Sequence, residues 1–146
     1  MKKPLAVIFI LILFCSKTHG LTLDEVDVFG EKIDDCGLSS DSVTASLASL
    51  MRYNKISMGR SLKSINLYHQ VTALDMGNTC SASLYISFYT YESKIFVPTF
   101  KRNLSADVVL CNKSMMLAGP KYDLQSRIND RAKGLAEQCL LIIDKK

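Results

Sequence analysis

Apolar residues recur along this chain at spacings that read most directly as helices. Between about residues 23 and 36, Val26, Phe29, Ile33 and Cys36 fall three or four apart, one face of a 3.6-residue turn. Thr22 and Glu25 form a capping-box pair ahead of them, Leu21 and Val26 occupy the two positions of a hydrophobic staple, and Gly37 supplies a stop. Ser39-Ser40-Asp41 is the next cap. After it Val43, Leu47, Leu50, Met51, Met58, Leu62, Ile65 and His69 lie near one stripe, which predicts one long bent helix to about residue 75, or two shorter ones broken near Ser57 and Gly59. Gly77-Asn78 ends this element in either case.

Residues 80–100 carry two periods at once. Leu84-Tyr85-Ile86-Ser87-Phe88-Tyr89-Thr90-Tyr91 is rich in strand formers, while Cys80, Leu84, Phe88, Tyr91 and Ile95 also fit a helical face. Glu92-Ser93 is a poor two-residue hairpin loop, so helix is the favoured expectation, ended by Pro98. Leu104, Val108, Cys111 and Met115 then align behind Asn103, Gly119-Pro120 breaks the chain, and Leu124, Ile128, Ala132, Leu135, Cys139 and Ile142 form a last stripe opened by Asp123. The pattern predicts an all-α fold, a small disulfide-braced bundle of about five helices. The alternative is α+β with a hairpin around residues 84–100.

The start of the chain reads differently. Lys2 and Lys3, an apolar run from Leu5 to Cys15 and the small residues Thr18 and Gly20 follow the plan of a secretory signal peptide over residues 1–20. Eleven apolar residues fall well short of the roughly 20 that span a bilayer, so no membrane span is expected. Residues 21–146 then form a single secreted, extracellular domain, which suits the size of one hydrophobic core. Without Lys2, Lys3 and Lys17 the chain holds 15 basic against 14 acidic residues, a net +1 rather than the +4 of the full sequence. A balance so near neutrality gives no reason to expect nucleic acid as a partner.

Four cysteines remain after residue 20: Cys36, Cys80, Cys111 and Cys139. An even number in a secreted chain predicts two disulfides, and with no C-x-x-C pair there is no metal site to expect. In antiparallel helices, Cys111 and Cys139 fall at different heights about the Gly119-Pro120 turn, as do Cys80 and Cys111 about Pro98, which leaves Cys36 with Cys111 and Cys80 with Cys139. Asn103-Leu104-Ser105 and Asn112-Lys113-Ser114 are sequons, which makes Asn103 and Asn112 candidate glycosylation sites, Asn103 the better placed.

Candidate chemistry is sparse. Beyond residue 20 the only histidine is His69, beside Tyr68 on an apolar stripe, where a structural core role is expected. No nucleophile elbow, glycine-rich phosphate cradle or calcium loop is present, so neither an enzyme nor a bound cofactor is expected. Asp24, Glu25, Asp27, Glu31, Asp34, Asp35 and Asp41 stand against Lys32 alone over residues 21–41, which reads as a solvated acidic face. Methionine adapts to irregular volumes and tyrosine carries a hydroxyl on an apolar ring, so Met51, Met58, Tyr85, Phe88 and Tyr91 are the candidate lining for a small apolar ligand. Two functions follow: a secreted, non-catalytic carrier of such a ligand, or a secreted interaction factor (an inhibitor, effector or cytokine-like ligand) that binds a protein partner.

Overall fold

A computed structural model of the chain describes residues 23, 25–34, 36–59 and 65–143; the signal peptide expected over residues 1–20 lies outside them. The fold is mixed α/β, which overturns the five-helix bundle. Its elements are β1 (Glu25–Asp34), α1 (Ser40–Tyr53), β2 (Ser57–Met58), β3 (Ile65–Asp75), β4 (Thr79–Val97), β5 (Arg102–Pro120) and α2 (Lys121–Ile143), with a short 3-10 turn over Pro98–Phe100. The strands form one sheet in the order β2-β1-β3-β4-β5. β1 runs parallel to both β2 and β3, while β3-β4 and β4-β5 are antiparallel.

The strands are strands because their apolar residues alternate. Val26 and Val28 in β1, Ile65, Leu67, Val71 and Ala73 in β3, and Cys80, Ala82, Leu84, Ile86 and Phe88 in β4 are all buried, every second residue on one face. Both helices lie on that face. From α1 come Val43, Leu47, Leu50 and Met51; from α2 come Leu124, Ile128, Ala132, Leu135, Ala136 and Cys139. A parallel pair such as β1-β3 needs a crossover, and α1 provides it. Ser39 caps α1, its side chain accepting from the Ser42 N–H at 3.2 Å. Asn129 Nδ2 donates to Ser42 Oγ at 2.9 Å and the Ser39 N–H donates to Gln125 Oε1 at 2.6 Å, which joins the helices at that end.

The helix predicted over residues 23–36 is therefore β1, and its capping box begins at Thr22, outside the described residues. The long helix to residue 75 stops at Tyr53, where Lys55 takes a left-handed conformation (φ 62), and the rest of it is β2 and β3. The segments 80–97 and 104–118 are the two halves of a hairpin that turns at Pro98–Lys101, not at Glu92-Ser93. Gly77 is a real punctuation mark: at φ +84 it turns β3 into β4, its N–H held by Asp75 Oδ1 at 2.8 Å.

The cysteines pair as Cys36 with Cys80 and Cys111 with Cys139, at Cα separations of 6.3 and 5.6 Å. Two disulfides are present as expected, but the pairing corrects the expected Cys36-Cys111 and Cys80-Cys139. The error follows from the wrong element at 104–118. A strand rises about 3.3 Å per residue and a helix 1.5 Å, so Cys111 and Cys139 both sit roughly 30 Å from the turn at Pro120-Lys121. They meet because one arm of this turn is extended and the other is coiled.

Candidate functional site

The sheet has two faces, and the helices cover one. On the other, the register sets Asp27, Asn66, Tyr89 and Val109 side by side across β1, β3, β4 and β5, then Phe29, Tyr68, Ser87 and Asn112, then Glu31, Gln70, Tyr85 and Ser114. Five rings in this array form an unbroken chain: Tyr85 to Tyr68 at 6.3 Å between centroids, Tyr68 to Phe29 at 5.7 Å, Phe29 to Tyr89 at 6.3 Å and Tyr89 to Tyr91 at 5.7 Å. Each pair is tilted or edge-to-face, with interplanar angles from 53° to 86°. These are favoured aromatic geometries, and they leave clefts between the rings rather than one flat platform.

Carboxylates are set among the rings. Tyr68 Oη donates to Glu31 Oε1 at 2.5 Å, and Gln70 Nε2 donates to the same oxygen at 3.0 Å. Partial burial, and then the bond to Glu31 and its charge, push the Tyr68 hydroxyl up to about 12. The Tyr89 hydroxyl is also raised: by desolvation first, then by its hydrogen bond with Tyr91 and by the charges of Asp107 and Asp27. Both phenols thus stay neutral donors at any physiological pH. Among the described side chains, the register brings Glu25, Asp27, Glu31 and Asp107 to this face and no lysine or arginine. The face is aromatic, hydroxyl-rich and acidic.

The expected ligand-lining set does not converge here or anywhere else. Met51 on the inner face of α1 and Phe88 on the covered face of the sheet are fully buried, whereas Tyr85 and Tyr91 belong to the opposite face of the sheet and Met58 lies on β2 at its edge. The helical spacing that grouped Phe88 with Tyr91 separates them in a strand, because three residues is an odd number of steps. Met58 does line a concavity of about 580 Å³ with Ala48, Arg52, Lys55, Ile56 and Ser57, but that hollow is open to solvent. Of the expected set, Tyr85 and Tyr91 fall within the ring chain. Phe29, Tyr68, Tyr89, Asp27 and Glu31 complete the face, and their signal in the sequence is that Asp27-Phe29-Glu31, Asn66-Tyr68-Gln70 and Tyr85-Ser87-Tyr89-Tyr91 each repeat with period two.

His69 is buried, on the inner face of β3 rather than on a helix. Its Nε2 lies 2.7 Å from Thr44 Oγ1 of α1, and its ring fills the space over Gly30, where any Cβ would meet ring atoms at 2.4 Å. Nδ1 is buried without a hydrogen-bond partner, so the proton belongs on Nε2, since stranding an acceptor costs less than stranding an N–H. Desolvation lowers the imidazole to about 4. Asn103 and Asn112 are both exposed on β5, the last strand of the sheet order, and the helix start expected at Asn103 is a strand. Among the described residues no three metal-ligating side chains cluster, and no helix is long and apolar enough to cross a membrane.

Neither a protein-family model nor a curated protein matches the chain. Among solved structures it is similar to a minor lipoprotein from Acinetobacter baumannii, with a TM-score of 0.40 and 9% identity, covering 84% of this chain and 95% of that one. A hypothetical protein from Chlamydia trachomatis is similar with a TM-score of 0.34 and 7% identity, covering 76% of this chain and 96% of that one. Similarities this slight carry neither function nor fold across.

Proposed function

We propose that the protein is a secreted, non-catalytic interaction factor whose open sheet face recognises a cationic segment of another protein. The observation that carries this is the chain of five rings, set with Asp27, Glu31 and Asp107, on a sheet face over which no described element packs. Guanidinium and ammonium groups are attracted both to ring faces and to carboxylates, and clefts between tilted rings accept side chains better than they accept a flat ligand. Two disulfides support maturation in an oxidising compartment, as the leader-like residues 1–20 do. Burial of His69 supports the non-catalytic reading, since the one histidine beyond residue 20 is spent on packing.

Calorimetric titration with a short unstructured peptide bearing arginine and phenylalanine tests this. Tyr68→Ala together with Tyr89→Ala should weaken binding at least tenfold, and Glu31→Gln by a smaller factor with a shallower salt dependence, as expected when one charge contact of about 1 kcal/mol is lost. Folding of each variant is checked by circular dichroism. Folded variants that bind as the wild type does would remove the sheet face from the mechanism.

A further inference from the structure

β3 reaches Tyr89 in register with Asn66, whereas β4 and β5 continue pairing to Val97 and Arg102. Among the described residues, the hairpin beyond Tyr89 and Val109 is thus a two-stranded arm. Its tip opposes the sheet face in charge. Phe96 and Phe100 are 60% and 61% exposed, Lys101 and Arg102 are exposed, and the Arg102 guanidinium lies 5.8 Å from the centre of the Phe100 ring. Pro98 at the head of the 3-10 turn and the left-handed Lys101 (φ 49) hold the rings and the cations together. Register places Phe96 opposite Asn103, on the same face of the ribbon as Tyr89 and Tyr91.

We propose that the arm of one copy docks on the tyrosine face of a second copy, and that the second arm returns the contact, in a two-fold dimer. This rests on the sheet face being a site for cationic segments. Charge supports it, because the tip that carries Lys101 and Arg102 is basic and the face that carries Glu31 and Asp27 is acidic. Length supports it too. With the two-fold axis near Tyr91, six residues inward reach Tyr85, in the row of Glu31 and Gln70, about 20 Å away at 3.3 Å per residue. Outward, the bulge between Glu92 and Ile95 takes up one residue, so Val97 lies about 17 Å away and the turn Pro98–Lys101 beyond it brings each tip to its partner's Glu31 row. Tyr91, 57% exposed, then lies close to the axis and meets its own copy. At their exposure the two phenylalanines of each arm offer roughly 200–300 Å², so the interface belongs with weak, reversible contacts below about 1,200 Å².

Sedimentation velocity on the full chain, made in a host that adds no N-glycan beside Phe96 at Asn103, should show concentration-dependent dimers. Lys101→Glu with Arg102→Glu should raise the dissociation constant at least tenfold, and Asp27→Lys with Glu31→Lys should do the same. Mixing these two variants restores both contacts, since each reversed arm then meets a reversed face and each native arm a native one; recovery of dimer in the mixture is the expected signature. A wild type that stays monomeric at about 0.5 mM, well above the micromolar range of weak interfaces, overturns the proposal. So does a dimer indifferent to both sets of reversals, or a monomer whose arm instead binds vesicles of anionic phospholipid. If the chain is monomeric yet its face still binds the arginine–phenylalanine peptide, only the self-docking falls; if folded face variants bind that peptide normally, the reading of the face falls with it.

Discussion

Replacing both Cys111 and Cys139 with alanine is expected to lower the melting temperature by roughly 10–15 °C. Their bond closes a 28-residue separation, which the chain-entropy model values at about 3.6 kcal/mol, and a domain of this size loses a few degrees per kcal/mol. The bond ties α2 to β5 through two buried sulfurs, so its loss should first loosen α2, whose apolar face packs on the sheet. Removing Cys36 and Cys80 costs a similar amount, about 4 kcal/mol for a separation of 44. Thermal unfolding of the two double variants measures both costs, and peptide mapping of the unreduced protein should recover these two pairs. Recovery of Cys36 joined to Cys111 would contradict the fold itself, because Cys80, bonded to Cys36, lies eight residues along β4 from Phe88, which pairs with Cys111.

Acid should weaken the fold through His69. The buried imidazole titrates at about 4 while an exposed one does so near 6.5, so below pH 6.5 the unfolded chain binds a proton that the native chain refuses. Its contribution is therefore complete above pH 6.5 and is lost as the pH falls from there to 4, about 3 kcal/mol in all. Urea denaturation at pH 7 and at pH 4.5 should show most of this loss in the wild type. His69→Phe keeps a ring over Gly30 and has nothing to titrate, so its profile should be flat over the same interval. Equal slopes in the two proteins would mean that His69 is not buried as a neutral group.

Some of this architecture was legible in the residues. Ser39 caps a helix as its position suggests, the stripe from Leu124 to Cys139 is the buried face of α2, and Pro98, Gly77 and Gly119-Pro120 each end an element. What misled was the coincidence of two periods. Val26, Phe29 and Ile33 fit a helix, but Val26 and Val28 are the buried pair in β1 and Phe29 faces outward. In β4, Leu84 and Phe88 satisfy a spacing of four, which an extended strand honours as two pleats. Ile65, Leu67, His69, Val71 and Ala73 alternate cleanly, yet Ile65 and His69 also continue the helical stripe begun upstream at Val43. The same coincidence of periods hides the site. Tyr85 and Tyr91 stand out within one segment, while Tyr68, Tyr89 and Phe29 become their neighbours only when three strands are laid side by side in register, a non-local fact that no window along the chain contains.

The sheet face as the recognition surface is tested most directly by observing its tyrosines one at a time. The six tyrosine rings divide cleanly: Tyr68, Tyr85, Tyr89 and Tyr91 form the stripe, whereas Tyr53 and Tyr122, 85% and 89% exposed, end α1 and open α2. With ring-labelled tyrosine and the arginine–phenylalanine peptide as probe, NMR shifts should move at the four stripe positions and stay fixed at Tyr53 and Tyr122. Shifts that follow exposure instead, largest at Tyr122 and Tyr53, would contradict it.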